Sequence, residues 1–408
     1  MKKLLYDISF VITACFVARL IFFFYFSDTA IENEWRILFH NLSETGTLGI
    51  NIIKDNIVSP GLAKAGEKVL PSAFMPPLYV FYIYLINILS LGKIELVKLI
   101  IFTQIILSCF STFIFFKILR NFLNKNSSII LTYIFSFYPL NILASLQTSS
   151  ITLQLFLFLF FIFYFINLTK LQSYKNSCML GVVAGLLMLM RGEFGLFFIL
   201  SNLYLFFIFK INYKNFLICI LFSLLVISPY LKRNYINFDH FILVKSFGFN
   251  LLKGNNSRST AEGNQEIFST LKLNIEKNNR YEVNRDNLYK SEAIKFIKND
   301  PSKYLKLYFI KIFTFIFLDF NSTYPNYYNI LHIVPKIVLS TFTIFGVALL
   351  IKKKGILQYL TLFYMTSSCF FSIFFILPRY SLIVLPIQII LSFYGFEYLK
   401  NRLKILIN

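Results

Sequence analysis

LVKLIIFTQIILSCFSTFIFFKIL, residues 96–119, is the stretch that decides how this chain folds. An uninterrupted apolar run of this length matches the roughly 20 residues a helix needs to cross hydrocarbon. Working outward, comparable runs recur from Ile8 to Ser27, from Ile151 to Leu168 and along most of the remaining chain. Of the 408 residues, 57% are hydrophobic and only 14% charged, where a soluble domain carries about a quarter charged. The reading is an all-α polytopic membrane protein. Its first run is too long for a signal-peptide core and lacks a small-residue cleavage site, so it is read as an uncleaved span.

The formal net charge of +21 is explained by Lys and Arg anchoring loops at anionic lipid surfaces. Nucleic acid is excluded as a partner, because no basic, aromatic-bearing soluble segment exists to hold it. Cys15, Cys109, Cys178, Cys219 and Cys369 lie in apolar segments without a CxxC pair and read as small core residues. His40, His240 and His332 are far apart, which argues against a His-based metal site. No cofactor motif is present.

Short loops rich in Lys and Arg stay cytoplasmic. Four qualify, around Lys117, Arg120 and Lys125; Lys170 and Lys175; Lys210 and Lys214; and Lys352 to Lys354. The ends, with Lys2 and Lys3 and with Lys400, Arg402 and Lys404, join them. Keeping all of these inside predicts about ten spans, near 8–27, 96–119, 128–145, 150–168, 177–190, 194–209, 214–230, 333–351, 357–377 and 380–398. Leu78 to Leu91 is too short for a crossing and, like the Lys-studded Ala293 to Phe317, is expected to lie in the interface. Three regions result. Residues 1–230 are a membrane catalytic module that includes a first outer loop, 28–93. Residues 231–329 form an extracytoplasmic module with an interfacial helix, and 330–408 hold the C-terminal spans. A helix is predicted from Tyr281 to Lys298.

Of the 19 Asp and Glu residues, this topology leaves only Asp7 and Glu397 inside, so carboxylate chemistry would face outward. Glu32 and Glu34 follow the first span directly and sit at the membrane surface. The plainer account is a solvated loop with Trp35 as interface anchor. Arg191-Gly192-Glu193 interrupts two apolar segments, either as a mutual ion pair or as part of a site. Lys232 and Arg233, with Asn234, end the seventh span, where snorkelling is the alternative to binding. Gly254-Asn255-Asn256 reads as a turn, and Arg379-Tyr380 separates two spans as an anchor or a ligand group.

Taken in order, these elements resemble the GT-C class of membrane glycosyltransferases, which includes the protein O-mannosyltransferases, aminoarabinose transferases and lipopolysaccharide-core sugar transferases. The resemblance is carried by Glu32-x-x-Trp35, Asn41-Leu42-x-x-x-Gly46, Phe74-x-Pro76-Pro77-Leu78-Tyr79, Tyr138-Pro139 and Gly185-x-x-x-Leu189-x-Arg191-x-Glu193. It continues through Pro229-Tyr-Leu-Lys-Arg233-Asn234-Tyr235, Gly248-Phe-Asn250-Leu, Gly254-Asn255-Asn256 and Arg379-Tyr380 with Leu385-Pro386.

What the resemblance implies is a GT-C-like helical bundle with an extracytoplasmic site in a bacterial plasma membrane. There an inverting transferase would move a sugar from a polyprenyl-phosphate carrier to a lipid, glycan or protein acceptor. Glu32, with Glu34 second, would be the base that deprotonates the acceptor. Arg191, Arg233 and Arg379 would hold the phosphate, with Glu193, Asn234 and Tyr380 beside them against phosphate or sugar. One departure stands out: an acidic residue usual about a dozen positions after Tyr-Pro is replaced by Gln147-Thr148-Ser149-Ser150. That removes a second carboxylate and leaves divalent-metal dependence open. An oligosaccharide polymerase or ligase, and a transporter or flippase of lipid-linked glycans, are the competing readings.

Overall fold

The structure, a computed structural model, describes residues 7–54, 57–64, 66–92, 94–271 and 274–407; Lys2, Lys3 and the loop limit Lys93 lie outside the described residues. α1 (Ile8–Phe26) starts at Asp7, whose carboxylate accepts from the Ser9 amide at 3.0 Å and covers one open N-terminal donor. The first long loop follows with α2 (Asn33–Thr45) and three short antiparallel strands, β1 (Asn51–Lys54), β2 (Ile57–Pro60) and β3 (Lys68–Val69), in the order β2-β1-β3. The sequence reading had no sheet here. Its register sets Ile52 opposite both Ser59 and Val69.

The fully buried Asn41 ties α2 to this sheet. Its side chain donates to the carbonyls of Gly49 and Gly61 at 2.9 and 3.1 Å and accepts from the Ala63 amide at 2.8 Å. Gly46 ends α2 at φ +67°, where its amide reaches the Leu42 carbonyl at 3.0 Å in a left-handed cap that favours glycine. The Asn41-Leu42…Gly46 pattern therefore builds the loop.

α3 (Leu78–Ser90) has 13 residues and buries Tyr79, Val80, Ile83 and Ile86, too few to cross. α4 (Leu96–Leu119) coincides with the predicted run. α5 (Lys125–Ser136) and α6 (Pro139–Leu146) fill the expected 128–145 span but meet at a 53° bend, because Pro139 lacks an N–H and holds Tyr138 extended. α7 (Ile151–Lys170), α8 (Tyr174–Met190) and α9 (Phe194–Phe207) follow. α10 (Tyr213–Phe238) outruns the expected 214–230, with Pro229 inside it. Proline there strips the Leu225 carbonyl of its usual donor, and the Ser228 hydroxyl replaces it at 3.0 Å. Arg233 and Asn234 thus stand on a continuing helix.

The second long loop segment holds α11 (Phe247–Gly254), α12 (Ile267–Thr270), α13 (Tyr281–Asn299) and α14 (Pro301–Ile316). The single interfacial stretch expected from Ala293 to Phe317 is instead split between two helices. Asp300 caps α14 by accepting from the Lys303 amide at 3.1 Å, and Pro301 opens it. α15 (Ile330–Leu350), α16 (Ile356–Phe371), a 3₁₀ turn at Pro378–Tyr380 and α17 (Leu385–Ile407) complete the chain. The last span begins later than position 380 because that turn intervenes.

By length and apolarity α1, α4, α7, α10 and α15 can cross a membrane, and α5 with α6 makes a sixth if a bent pair counts. α8, α9 and α16 are apolar but shorter, so length alone stops below the expected ten. Loop contacts nevertheless sort the helix ends. Lys170 donates to the Asn121 side chain, Asn212 and Asn215 donate to Gln172 at 2.9 and 3.1 Å, and the Tyr204 hydroxyl donates to the Gly355 carbonyl at 3.3 Å. These bonds draw the four basic loops to one end of the bundle. α8, α9 and α16 each have one terminus there and the other at the opposite end, where the loops around Glu32, Gly192 and Arg379 gather. Between the ends lies an aromatic core in which Phe165 stacks on Tyr359 with centroids 3.8 Å apart.

Candidate active site

At the end opposite the basic loops, a cavity of about 620 Å³ is lined by Glu32, Glu34, Arg191, Glu193, Arg379 and Tyr380, with Ser149, Ser150 and Lys253 among its other polar groups. Residues from five distant parts of the chain meet there, each delivered by an element terminus. Glu32 stands just before α2, and its amide donates to the Thr148 hydroxyl at 3.3 Å. That hydroxyl donates to the Ala30 carbonyl at 2.9 Å, and the Asp28 carboxylate accepts from the Thr148 amide at 2.8 Å. The segment Gln147–Ser150, where the resemblance lacks its second acid, is thus docked on the Glu32 loop through hydroxyl and backbone groups. Among the described residues no three His, Cys, Asp or Glu side chains come together as a metal-holding group.

Trp35 is not an interface anchor. It is buried against Tyr79, edge to face, with centroids 5.0 Å apart. The ring fixes α2 on α3 and so orients the two carboxylates beside it.

Arg191 ends α8. Its guanidinium lies 3.3 Å from both Glu193 Oε1 and Gln154 Oε1, and 5.4 Å above the Tyr380 ring. The mutual ion pair, one of the two readings of Arg191-Gly192-Glu193, is therefore present, inside the cavity wall. Arg379 rides the 3₁₀ turn and is exposed to the cavity. Burial raises the Glu32 carboxyl above its usual range, and Arg379 partly opposes this while Asp28 and Glu34 add to it.

Arg233 and Asn234 do not line this cavity. The Arg233 fork donates to the carbonyls of Leu48 and Ser72, both at 2.8 Å, and to Asn234 Oδ1 at 2.7 Å, while Asn234 donates to the Ile242 carbonyl at 2.6 Å. A planar guanidinium suits two carbonyls as well as two phosphate oxygens, and here the carbonyls occupy it. Nearby, the buried Glu282 accepts from the Ser72 hydroxyl at 2.6 Å and the Ala73 amide at 2.7 Å. Burial pushes this carboxyl up to about 7, with those two hydrogen bonds and the charges of Arg285 and Arg233 pulling the other way. Together the two residues pin the first long loop to α10 and α13.

Lys253 is the cation that sequence reasoning missed. It stands in the last turn of α11, 4.3 Å above the Phe375 ring, and burial followed by the charge of Arg379 lowers its ammonium below the usual lysine range. The Gly254-Asn255-Asn256 turn behind it holds it in place. A Cβ on Gly254 would fall 2.1 Å from the Phe374 carbonyl oxygen, Asn255 donates to the Ile373 carbonyl at 2.9 Å, and the buried Lys311 donates to the Gly254 carbonyl at 2.8 Å. The turn pattern was visible in the sequence; that it seats the preceding lysine was not. Neither Lys253 nor Arg379 forms an ion pair among the described residues. Phe74, Phe247, Phe249, Phe371 and Phe374 give the same cavity an aromatic wall.

No family model matches the chain, and no curated protein matches it. Among solved structures it is similar to the oligosaccharyltransferase of Archaeoglobus fulgidus in its apo form, with a TM-score of 0.54 at 11% identity, over 98% of this chain and 51% of that one. This chain therefore spans about half the length of that protein. The likeness is one of fold, and it supports a GT-C-like helical architecture.

Proposed function

We propose that the chain is an inverting glycosyltransferase that moves a sugar from a polyprenyl-phosphate carrier to a lipid, glycan or protein acceptor at the outer face of a bacterial plasma membrane. The observation that carries this reading is the meeting, in one cavity, of the Glu32 and Glu34 carboxylates with Arg379 and Lys253, beside an aromatic wall. Glu32 removes the acceptor hydroxyl proton. The resulting oxygen attacks the anomeric carbon from the face opposite the phosphate, and the bond from that carbon to the phosphate oxygen breaks. The departing phosphate is already a stable anion and needs no acid. Arg379 and Lys253 neutralise it where water is scarce, and Arg191 holds Tyr380 and Glu193 against the sugar. The aromatic wall receives the first isoprene units of the carrier.

A second reading, an oligosaccharide ligase, draws on the likeness to an oligosaccharyltransferase. Both are tested by incubating membranes that contain the chain with labelled polyprenyl-phosphate monosaccharides and, separately, lipid-linked oligosaccharides. Transfer of a single sugar that Glu32→Gln abolishes at unchanged protein level supports the first reading. Transfer of the intact oligosaccharide alone supports the second, and transfer that survives Glu32→Gln rejects the assignment of the base.

A further inference from the structure

The seam between α1 and α4 holds a polar cluster, away from the cavity, that the proposed transfer does not use. Arg19, inside α1, is fully buried. Its Nη1 donates to the Cys15 sulfur at 2.8 Å, while Nε and Nη2 find no protein acceptor. A guanidinium inside an apolar bundle is costly and marks a functional position, and among the described residues no carboxylate pairs with this one. On the same sulfur converge the Cys109 thiol of α4, with its sulfur 4.0 Å away, and the Thr112 hydroxyl at 3.6 Å. Cys15 is fully buried, whereas Cys109 is only partly buried, on a helix whose Phe110 and Phe113 are exposed.

We propose that Cys15 and Cys109 form a redox-active thiol pair inside the membrane, which closes to a disulfide when a lipid-soluble hydroperoxide arrives. Cys109, the more accessible sulfur, attacks the peroxide oxygen. The O–O bond breaks and the Cys109 thiol proton passes to the departing alkoxide oxygen, giving a sulfenic acid on Cys109 and the corresponding alcohol. The Cys15 sulfur, oriented by Arg19, then attacks the sulfenic sulfur and displaces hydroxide, which takes the Cys15 proton and leaves as water. Two thiols have then lost two electrons to one peroxide. The sulfurs must close from 4.0 Å to a bond of about 2.05 Å. The bond would tie α1, whose far end leads into Asp28 and Glu32, to α4.

The test uses the full chain in membrane vesicles and needs no transferase assay. Vesicles are treated with cumene hydroperoxide, denatured, blocked with N-ethylmaleimide, digested and analysed by mass spectrometry. The exposed Cys369 serves as an internal reporter that oxidant was present. The expected result is a Cys15–Cys109 linked peptide within one chain, lost on reduction and absent from Cys15→Ser, in which dimedone captures Cys109 as the sulfenic acid. Recovery of both cysteines as maleimide adducts at doses that oxidise Cys369 overturns the proposal. So does Cys109 advancing to sulfinic acid while Cys15 stays a thiol.

Discussion

Arg233 offers the sharpest test, because the resemblance implies a phosphate ligand and its contacts describe a structural tie. Replacing it with Met removes two charge-assisted bonds to the Leu48 and Ser72 carbonyls, both 2.8 Å long. Such bonds contribute about 1.5–3 kcal/mol each, so the first outer loop should lose on the order of 3 kcal/mol or more of its attachment. At about 1.4 kcal/mol per factor of ten, that is roughly a 100-fold larger population of the opened loop. Lys at the same position can satisfy one carbonyl but not both, so Arg233→Lys should give roughly a tenfold increase. The assay is limited proteolysis of the purified chain, at protease levels where opening equilibrates before cleavage, following cuts between residues 46 and 76. Arg379→Lys serves as the contrast, with cleavage unchanged and donor use impaired. If Arg233→Lys leaves cleavage at the wild-type rate but weakens donor binding, the structural account of Arg233 fails and the phosphate role returns.

Three further outcomes are expected. If Glu32 is the base, it works ionised, so transfer should rise with pH along an acid limb placed above the ordinary carboxylate range. Arg379→Gln, by removing the cation that pulls this carboxyl down, should move that limb still higher in a pH–rate profile. Lys253→Met should weaken donor use by about tenfold or more while Lys253→Arg keeps most of it, read from KM and kcat with a labelled donor. Glu282 is raised from 4.5 to about 7 in the fold, so the folded state holds its proton where the unfolded chain has lost it. Its contribution is full below pH 4.5 and falls as pH rises to about 7, by on the order of 3 kcal/mol. Glu282→Gln should flatten that dependence, measured as loop proteolysis across the window.

How much of this was legible in the sequence depended on whether one residue's neighbours along the chain decide its surroundings. Apolar length needs no partner, which is why α4 and α7 fall within two residues of their predicted bounds. α10 runs past the expected 230 because the rescue at Pro229 comes from a hydroxyl next door, Ser228, whose direction no composition states. The sheet at residues 51–69 has strands of four residues or fewer, held by Asn41 from outside, and so carries no periodic signal. The role of Arg233 was undecided in the sequence for a different reason. Its fork suits carbonyls and phosphates equally, and only the approach of Leu48 and Ser72, 185 and 161 positions away, decides between them.

The same logic sorts the cations that do reach the cavity. Arg191 is matched by Glu193 and Gln154 and lies over the Tyr380 ring; its charge is already answered, and its geometry serves to fix Tyr380. Arg379 and Lys253 have no such carboxylate partner, and Arg379 is the largest charge contribution to both the Glu32 and the Lys253 titrations. In the proposed reaction this sets an order of binding. An incoming phosphate satisfies Arg379 and Lys253, which withdraws part of the attraction that holds Glu32 ionised. Glu32 then becomes the stronger base once the donor is seated, when an acceptor proton has to be removed. A donor analogue bound to the chain should therefore raise the acid limb set by Glu32, and Arg379→Gln, having removed the coupling, should abolish most of that rise.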